Sequence, residues 1–311
     1  MARYSGGVSR TAAVLLLLAA ASVWGATFPV VKGALADAST PSFLALRFTL
    51  AALVLLPALR ARGGGRRGVP RAALAGVALF AGYVFQTWGL ETTTPARSAF
   101  ITAFAIILVP LLEPLAGMGR PSGRVWGGAL LALAGLAVLL RPEVQPVTTG
   151  DLLTFGCAIV FAVHVLLLQW TVRAIPATGA TAVQVAVTAV LALGSASVAG
   201  WRVTATPRLA FAVVVTALFA TVFSFWVLTA AQRVLSAALS SVVLAFEPVA
   251  AAAISVLLGQ DRVTAALLAG GVLVVAGVVV ASVERRGGPV SSPGEPPGAP
   301  PPPARGRDRS R

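Results

Sequence analysis

Residues 236–258, SAALSSVVLAFEPVAAAAISVLL, decide how the chain is read. The run is apolar and long enough for a bilayer core, which takes about 20 residues of α-helix to cross. Near its middle stand Glu247 and Pro248. A carboxylate at that depth costs about 2.5–3.5 kcal/mol unless it faces protein or water. The proline lacks a backbone donor and crowds the preceding turn, so it kinks or interrupts the helix beside the acid. Two rules are broken together where breaking them is most costly. Such breaks mark function.

The rest of the chain has the same character. Of its 311 residues 57% are hydrophobic and only 11% charged, against about 25% charged in a soluble domain. That is the composition of an integral membrane protein. The net charge of +14 does not point to nucleic acid, because the arginines sit in short loops and a tail between apolar runs; there they act as topology determinants. Arg3 and Arg10 before VLLLLAAA imitate a signal peptide, but the apolar run continues to Val31. A retained first helix is expected instead.

Apolar length gives ten candidate spans, at 11–33, 42–60, 72–90, 95–116, 123–141, 151–173, 180–200, 209–231, 237–258 and 264–283. With the N-terminus in the cytoplasm, 17 basic residues fall inside and six outside, Arg47 lying within a span. The bias predicts both termini cytoplasmic in the cell membrane. The tail at 285–311 is rich in Pro and Arg and is expected to be disordered and cytoplasmic.

The chain also repeats itself. ITAFAIILVPLLEPLAG followed by GGALLALAGL resembles SSVVLAFEPVAAAAISVLLG followed by GGVLVVAGV. Each half carries a proline in a late span, Pro110 and Pro248, read as matching helix breaks. Each ends in a span with glycines seven apart, Gly128 and Gly135, then Gly270 and Gly277. Five spans per half is an odd number, so the halves enter the membrane in opposite senses. Inverted repeats with interrupted helices characterise secondary transporters and put the binding site near the midplane.

With those residues in hand, the chain resembles the EamA-type group of the drug/metabolite transporter superfamily. The resemblance rests on ASVWGATFPVVKGAL, LALRFTLAALVLLP, GYVFQTWGLETTTPARSAFITAFAIILVPLL, GDLLTFGCAIVFAVHVLLLQW and AQRVLSAALSSVVLAFEPVAA, in that order, and covers residues 11–284. It implies an all-α fold of ten transmembrane helices in two inverted five-helix repeats, 1–142 and 148–284. It also implies uptake or efflux of small metabolites without ATP hydrolysis, and the sequence holds no GxxxxGK[ST] phosphate loop. The Gly259-Gln260-Asp261 end of the ninth span departs from the acid that often follows the glycine there.

Candidate pathway residues follow from polarity at depth. Glu247 either binds and releases a proton during transport or is a structural carboxyl bonded to backbone groups freed by Pro248. Arg47 either attracts an anionic group or snorkels to the outer interface. His164 either donates to substrate or joins two helices. Gln86, between Tyr83 and Trp88, suits a pocket wall, and Trp24 lies too deep in its span for an interface anchor. Glu91 and Glu113 flank spans and read as solvated; Gln184 and Gln232 lie near span ends and are weaker candidates.

A single histidine and a single cysteine argue against a metal site, and no cofactor is expected. The expected function is secondary transport, by alternating access, of an amino acid, drug or related metabolite, with export favoured and protons as a coupling ion. The alternatives are a passive facilitator or channel and a membrane-embedded lipid-modifying enzyme. A homodimer stays open, and the only partners expected besides substrate are lipid and protons.

Overall fold

A computed structural model of the chain describes residues 8–60, 68–140, 146–257 and 262–283. The expected tail and the residues 258–261 lie outside the described residues. Among the described residues the fold is helical, apart from one isolated bridge between Ala38 and Val203. The helices are α1 (Arg10–Ala34), α2 (Thr40–Val54), α3 (Leu56–Arg60), α4 (Gly68–Thr92) and α5 (Pro95–Thr102). They continue with α6 (Ala105–Leu112), α7 (Gly123–Leu140), α8 (Thr149–Thr171), α9 (Ala177–Ala199) and α10 (Pro207–Val215). A π-helical segment (Thr216–Phe223) joins α10 to α11 (Ser224–Ala231). Last come α12 (Ala237–Leu244), α13 (Glu247–Leu257) and α14 (Ala265–Ser282).

Among the described residues eight helical stretches are long and apolar enough to cross a membrane; Thr40–Val54 and Arg97–Leu112 are apolar but shorter. The second expected span is divided at Leu55, two residues before Pro57, whose missing N–H cannot continue the ladder. Hydroxyl caps set many starts. Thr148 and Asp151 form a full capping box at α8, and Thr94, Thr206, Ser236 and Thr264 accept backbone N–H groups at α5, α10, α12 and α14.

Two of the expected spans are interrupted in the same manner. Between α12 and α13 the chain turns at Ala245-Phe246, where Ala245 N–H bonds Val242 O and Phe246 N–H bonds Val243 O. Pro248 then opens α13 as its second residue, where a missing N–H is tolerated. The other interruption corrects the expectation for Pro110. That proline lies inside α6, and the break comes earlier, at Ala103-Phe104. There Phe104 N–H bonds Ile101 O and Ile106 N–H bonds Ala103 O, so tight three-residue bonds make the turn.

Glycines allow the closest helix pairs. A Cβ on Gly135 would stand 2.7 Å from Val274 N, and one on Gly277 2.6 Å from Gly128 O. Gly128 faces Gly277 and Gly135 faces Gly270, so α7 and α14 pack antiparallel, glycine on glycine. Gly89 and Gly150 bring α4 and α8 together in the same way; a Cβ on Gly150 would meet Gly89 O at 2.6 Å.

Polar links tie the loops at one end of the bundle. Arg208 donates Nε and a terminal nitrogen to the two oxygens of Asp37, each at 2.8 Å, and Thr206 Oγ1 adds a bond of 2.7 Å. These donors hold the Asp37 carboxyl well below its usual range, at about 2. At the same end Arg97 pairs with Asp151 at 2.8 Å. Lys32 Nζ donates to the carbonyls of Leu90, Glu91 and Thr93 at the end of α4, the terminus at which a helix dipole favours a cation.

Candidate functional site

Both interrupted spans face one cavity. Its volume is about 120 Å³, room for several waters. Five positions of each broken span line it at matching steps, Ala99, Thr102, Ala103, Ala105 and Ile106 from the first and Ser241, Leu244, Ala245, Glu247 and Pro248 from the second, and Val109 adds a sixth from the first. The remaining walls come from α1, α2, α4, α8 and α11.

Six of the expected pathway residues meet here: Trp24, Arg47, Tyr83, Gln86, His164 and Glu247. Trp88 does not. It is 40% exposed and lines a separate polar cleft with Lys32, Asp37, Glu91 and Arg202. The reason is helical phase: at about 100° per residue, Trp88 sits about 140° round α4 from Tyr83, whereas Gln86 and Thr87 stay on the cavity side.

Arg47 is 2% exposed, so it does not snorkel. Its Nε donates to Thr221 Oγ1 at 2.9 Å and a terminal nitrogen to the Tyr83 hydroxyl at 3.0 Å. Its guanidinium carbon lies 4.4 Å from the Tyr83 ring centroid, in cation–π range. Thr221 belongs to the π-helical segment, and its own hydroxyl donates to Thr216 O, five residues back. Trp24 Nε1 donates to Ala220 O of the same segment at 2.7 Å. Two side chains from the first half of the chain therefore hold the π turns in the second half. π-bulges are frequent at functional sites. Nothing in the sequence marked this one, because its partners lie 174 and 196 residues away.

His164 joins two helices. Its Nε2 lies 2.8 Å from Gln184 Oε1 on α9, and Gln184 Nε2 donates to Thr229 Oγ1 at 3.4 Å. That orientation of the amide makes Nε2 the protonated nitrogen and leaves the Nδ1 lone pair for another donor. Gln184, fully buried, matters more than its position near a span end suggested. Phe225 ties the aromatic walls together, with ring centroids 5.1 Å from Trp24, 6.1 Å from Tyr83 and 5.7 Å from His164.

Glu247 stands at the first turn of α13, beside the cavity. Among the described residues no donor or cation bonds its side chain, backbone groups beside Pro248 included. The Glu247 backbone does have a close neighbour. A Cβ on Gly25 of α1 would collide with Glu247 O and stand 3.0 Å from Ala251 N. Only glycine lets α1 lie this near the break.

Glu113 corrects another expectation. It is buried, not solvated, and its Oε1 accepts Ala238 N–H at 3.4 Å, at the start of α12. Glu91, exposed, accepts from Thr40 Oγ1 at 2.7 Å.

The comparisons with known proteins agree with this architecture. The model of the EamA-like transporter family matches the chain twice, over residues 11–141 and 148–283. An uncharacterized transporter of Archaeoglobus fulgidus is 35% identical over 166 residues, which are 52% of this chain and 51% of that protein. The chain thus spans about half the length of the curated relative it matches. A protein of known crystal structure superposes with a TM-score of 0.75 at 24% identity, covering 88% of this chain and 98% of its own, a likeness of fold.

Proposed function

We propose that this chain, a multi-pass membrane transporter that belongs to the EamA-like transporter family, is a secondary carrier that moves one small organic metabolite at a time through the shared cavity by alternating access, as an exporter. Ten crossings in two inverted halves, with both termini on the cytoplasmic side of the cell membrane, give the bundle its sense. The antiparallel glycine contact of α7 and α14 supports that threading. Corresponding last helices of two halves run parallel when the halves share an orientation and antiparallel when they do not.

The observation that carries the proposal is the cavity itself, lined step for step by both interrupted spans, with a carboxyl on one of them that no side chain or backbone group bonds among the described residues. Irregular backbone at membrane depth is tolerated where it lines such a cavity, and an ionisable group there is a functional group by default. Glu247 takes the coupling proton. A conformation that opens the cavity to one side at a time then links proton entry to metabolite exit.

The test is reconstitution of the full chain into vesicles with an imposed proton gradient, followed by a screen of metabolites for movement against their own gradients. Accumulation sets the carrier apart from a facilitator, which can only equalise. The Glu247→Gln protein should insert and fold but show gradient-driven movement no higher than empty vesicles. Undiminished proton-driven movement by that variant removes Glu247 from the coupling.

A further inference from the structure

We propose that the substrate is a small monovalent organic cation, an ammonium group on an apolar or aromatic body; the inference rests on the carrier reading and names its substrate class. Two side chains with ionisable groups line the cavity, Arg47 and Glu247. They are not equally available. Arg47 is 2% exposed, bonded to Thr221 and Tyr83, and covered on one face by the Tyr83 ring. Its charge is engaged in holding the π-helical segment. Glu247 is partly exposed to the cavity and has no hydrogen-bond or ion-pair partner among the described residues. The ionisable group that a ligand can reach is therefore an acid, which becomes negative when it gives up its proton.

The surroundings suit a cation. Trp24, Phe28, Tyr83, Phe161 and Phe225 line the cavity with aromatic surface, and the negative faces of aromatic rings attract a cation. Gln86 lines the same cavity with its amide unbonded among the described residues, which leaves its oxygen as an acceptor for an ammonium N–H. An anion would meet the free carboxylate and the negative ring faces, and would have to displace Thr221 or Tyr83 to reach Arg47. The ammonium can take the place of the proton on Glu247, so one monovalent cation exchanges for one proton with no net charge moved.

Three probes of one shape separate the possibilities: phenethylammonium, 3-phenylpropionate and phenylalanine, bearing a positive charge, a negative charge and both. Calorimetric titration of the purified full chain should show saturable binding of phenethylammonium, with 3-phenylpropionate weaker by about tenfold or more, the loss expected when a charged partner goes unpaired. Glu247→Gln should weaken the amine by a similar factor and leave 3-phenylpropionate no weaker. Tighter binding of the carboxylate than of the amine by the unaltered protein overturns the inference, whatever the variant does. Vesicles that move phenylalanine or 3-phenylpropionate but not the amine keep the carrier reading and refute this one. Saturable amine binding without movement across the bilayer does the reverse.

Discussion

The two interrupted spans are built alike and furnished differently. In each, a capped eight-residue helix, α5 or α12, reaches an Ala-Phe turn, and a second helix, α6 or α13, begins at the next residue. The residue that begins it faces the cavity in both. In the first span it is Ala105, and in the second it is Glu247. The break thus belongs to the repeated architecture, whereas the charge belongs to one copy. A helix break at depth exposes backbone to the cavity, and that alone makes a polar-tolerant site. In the function proposed above, what the site recognises is then set by one side chain at a position both halves share. A duplicated frame with chemistry on one side gives a central site that is not symmetric in what it binds.

The largest effect should come from erasing that difference. Glu247→Ala makes the second span read Ala-Phe-Ala like the first, and should reduce proton-driven movement to the background of empty vesicles. Ala105→Ser, a change of similar size on the other copy, should leave the rate close to that of the unaltered protein. If both variants lose transport together, the two spans share the chemistry and the contrast drawn here fails.

Next in size is the contact that seats the second break. Gly25→Ala puts a methyl against Glu247 O and Ala251 N. Overpacking of this kind costs about 1–3 kcal/mol, and it must move α1 or the start of α13. The melting midpoint in detergent should fall, and transport should fall further than stability does, because the displaced segment carries the acid. Gly156→Ala is the control: a Cβ there would meet only the Phe85 ring, at ordinary contact distances of 3.7–3.8 Å. It should change neither measurement appreciably.

A smaller effect tests how each short helix is held at its start. Asp151 binds Arg97 and Thr93 beside α5, and Glu113 accepts Ala238 N–H at the start of α12. A neighbouring acid thus steadies each broken span, through an ion pair at one and a helix N-terminus at the other. Glu113→Ala should cost about 0.5–2 kcal/mol, the range for losing a helix cap, read as a lower melting midpoint. A midpoint unmoved by that change would mean that Ser236 alone suffices to cap α12.

These contrasts also show what could be read from the chain. The ninth span, the acid within it and the glycines seven apart were visible because each is a local violation of an apolar pattern. Proline is the sequence signal for a break and points to Pro110, but the turn at Ala103-Phe104 is closed by backbone bonds to Ile101 and Ala103 that leave no mark in composition. Trp88 was grouped with Tyr83 and Gln86 by nearness in sequence, and helical phase separates it. Glu113 and Gln184 looked peripheral because their partners, Ala238 and His164, come from other helices. Pattern reading recovers what a residue does to its own helix. It does not recover what a distant helix does to the residue.

The smallest effect lies in the loops, and it separates the cavity acid from another titrating acid. Asp37 ties the α1–α2 loop to Arg208 and Thr206, and its carboxyl is held at about 2 against an ordinary 3.8. A carboxyl depressed on folding adds stability above its unfolded value and loses it as the pH falls towards the folded one. This contribution is thus complete at neutral pH and disappears between about 4 and 2, bounds that follow from the two values above. The pair should add little even when intact, since Arg208 is 58% exposed and solvent screens it. Asp37→Asn should therefore flatten the acid limb of a melting-midpoint titration and leave the pH dependence of transport above 4 unchanged. Should Asp37→Asn alter that dependence instead, the proton response would belong to the α1–α2 loop, and Glu247 would lose its claim to it.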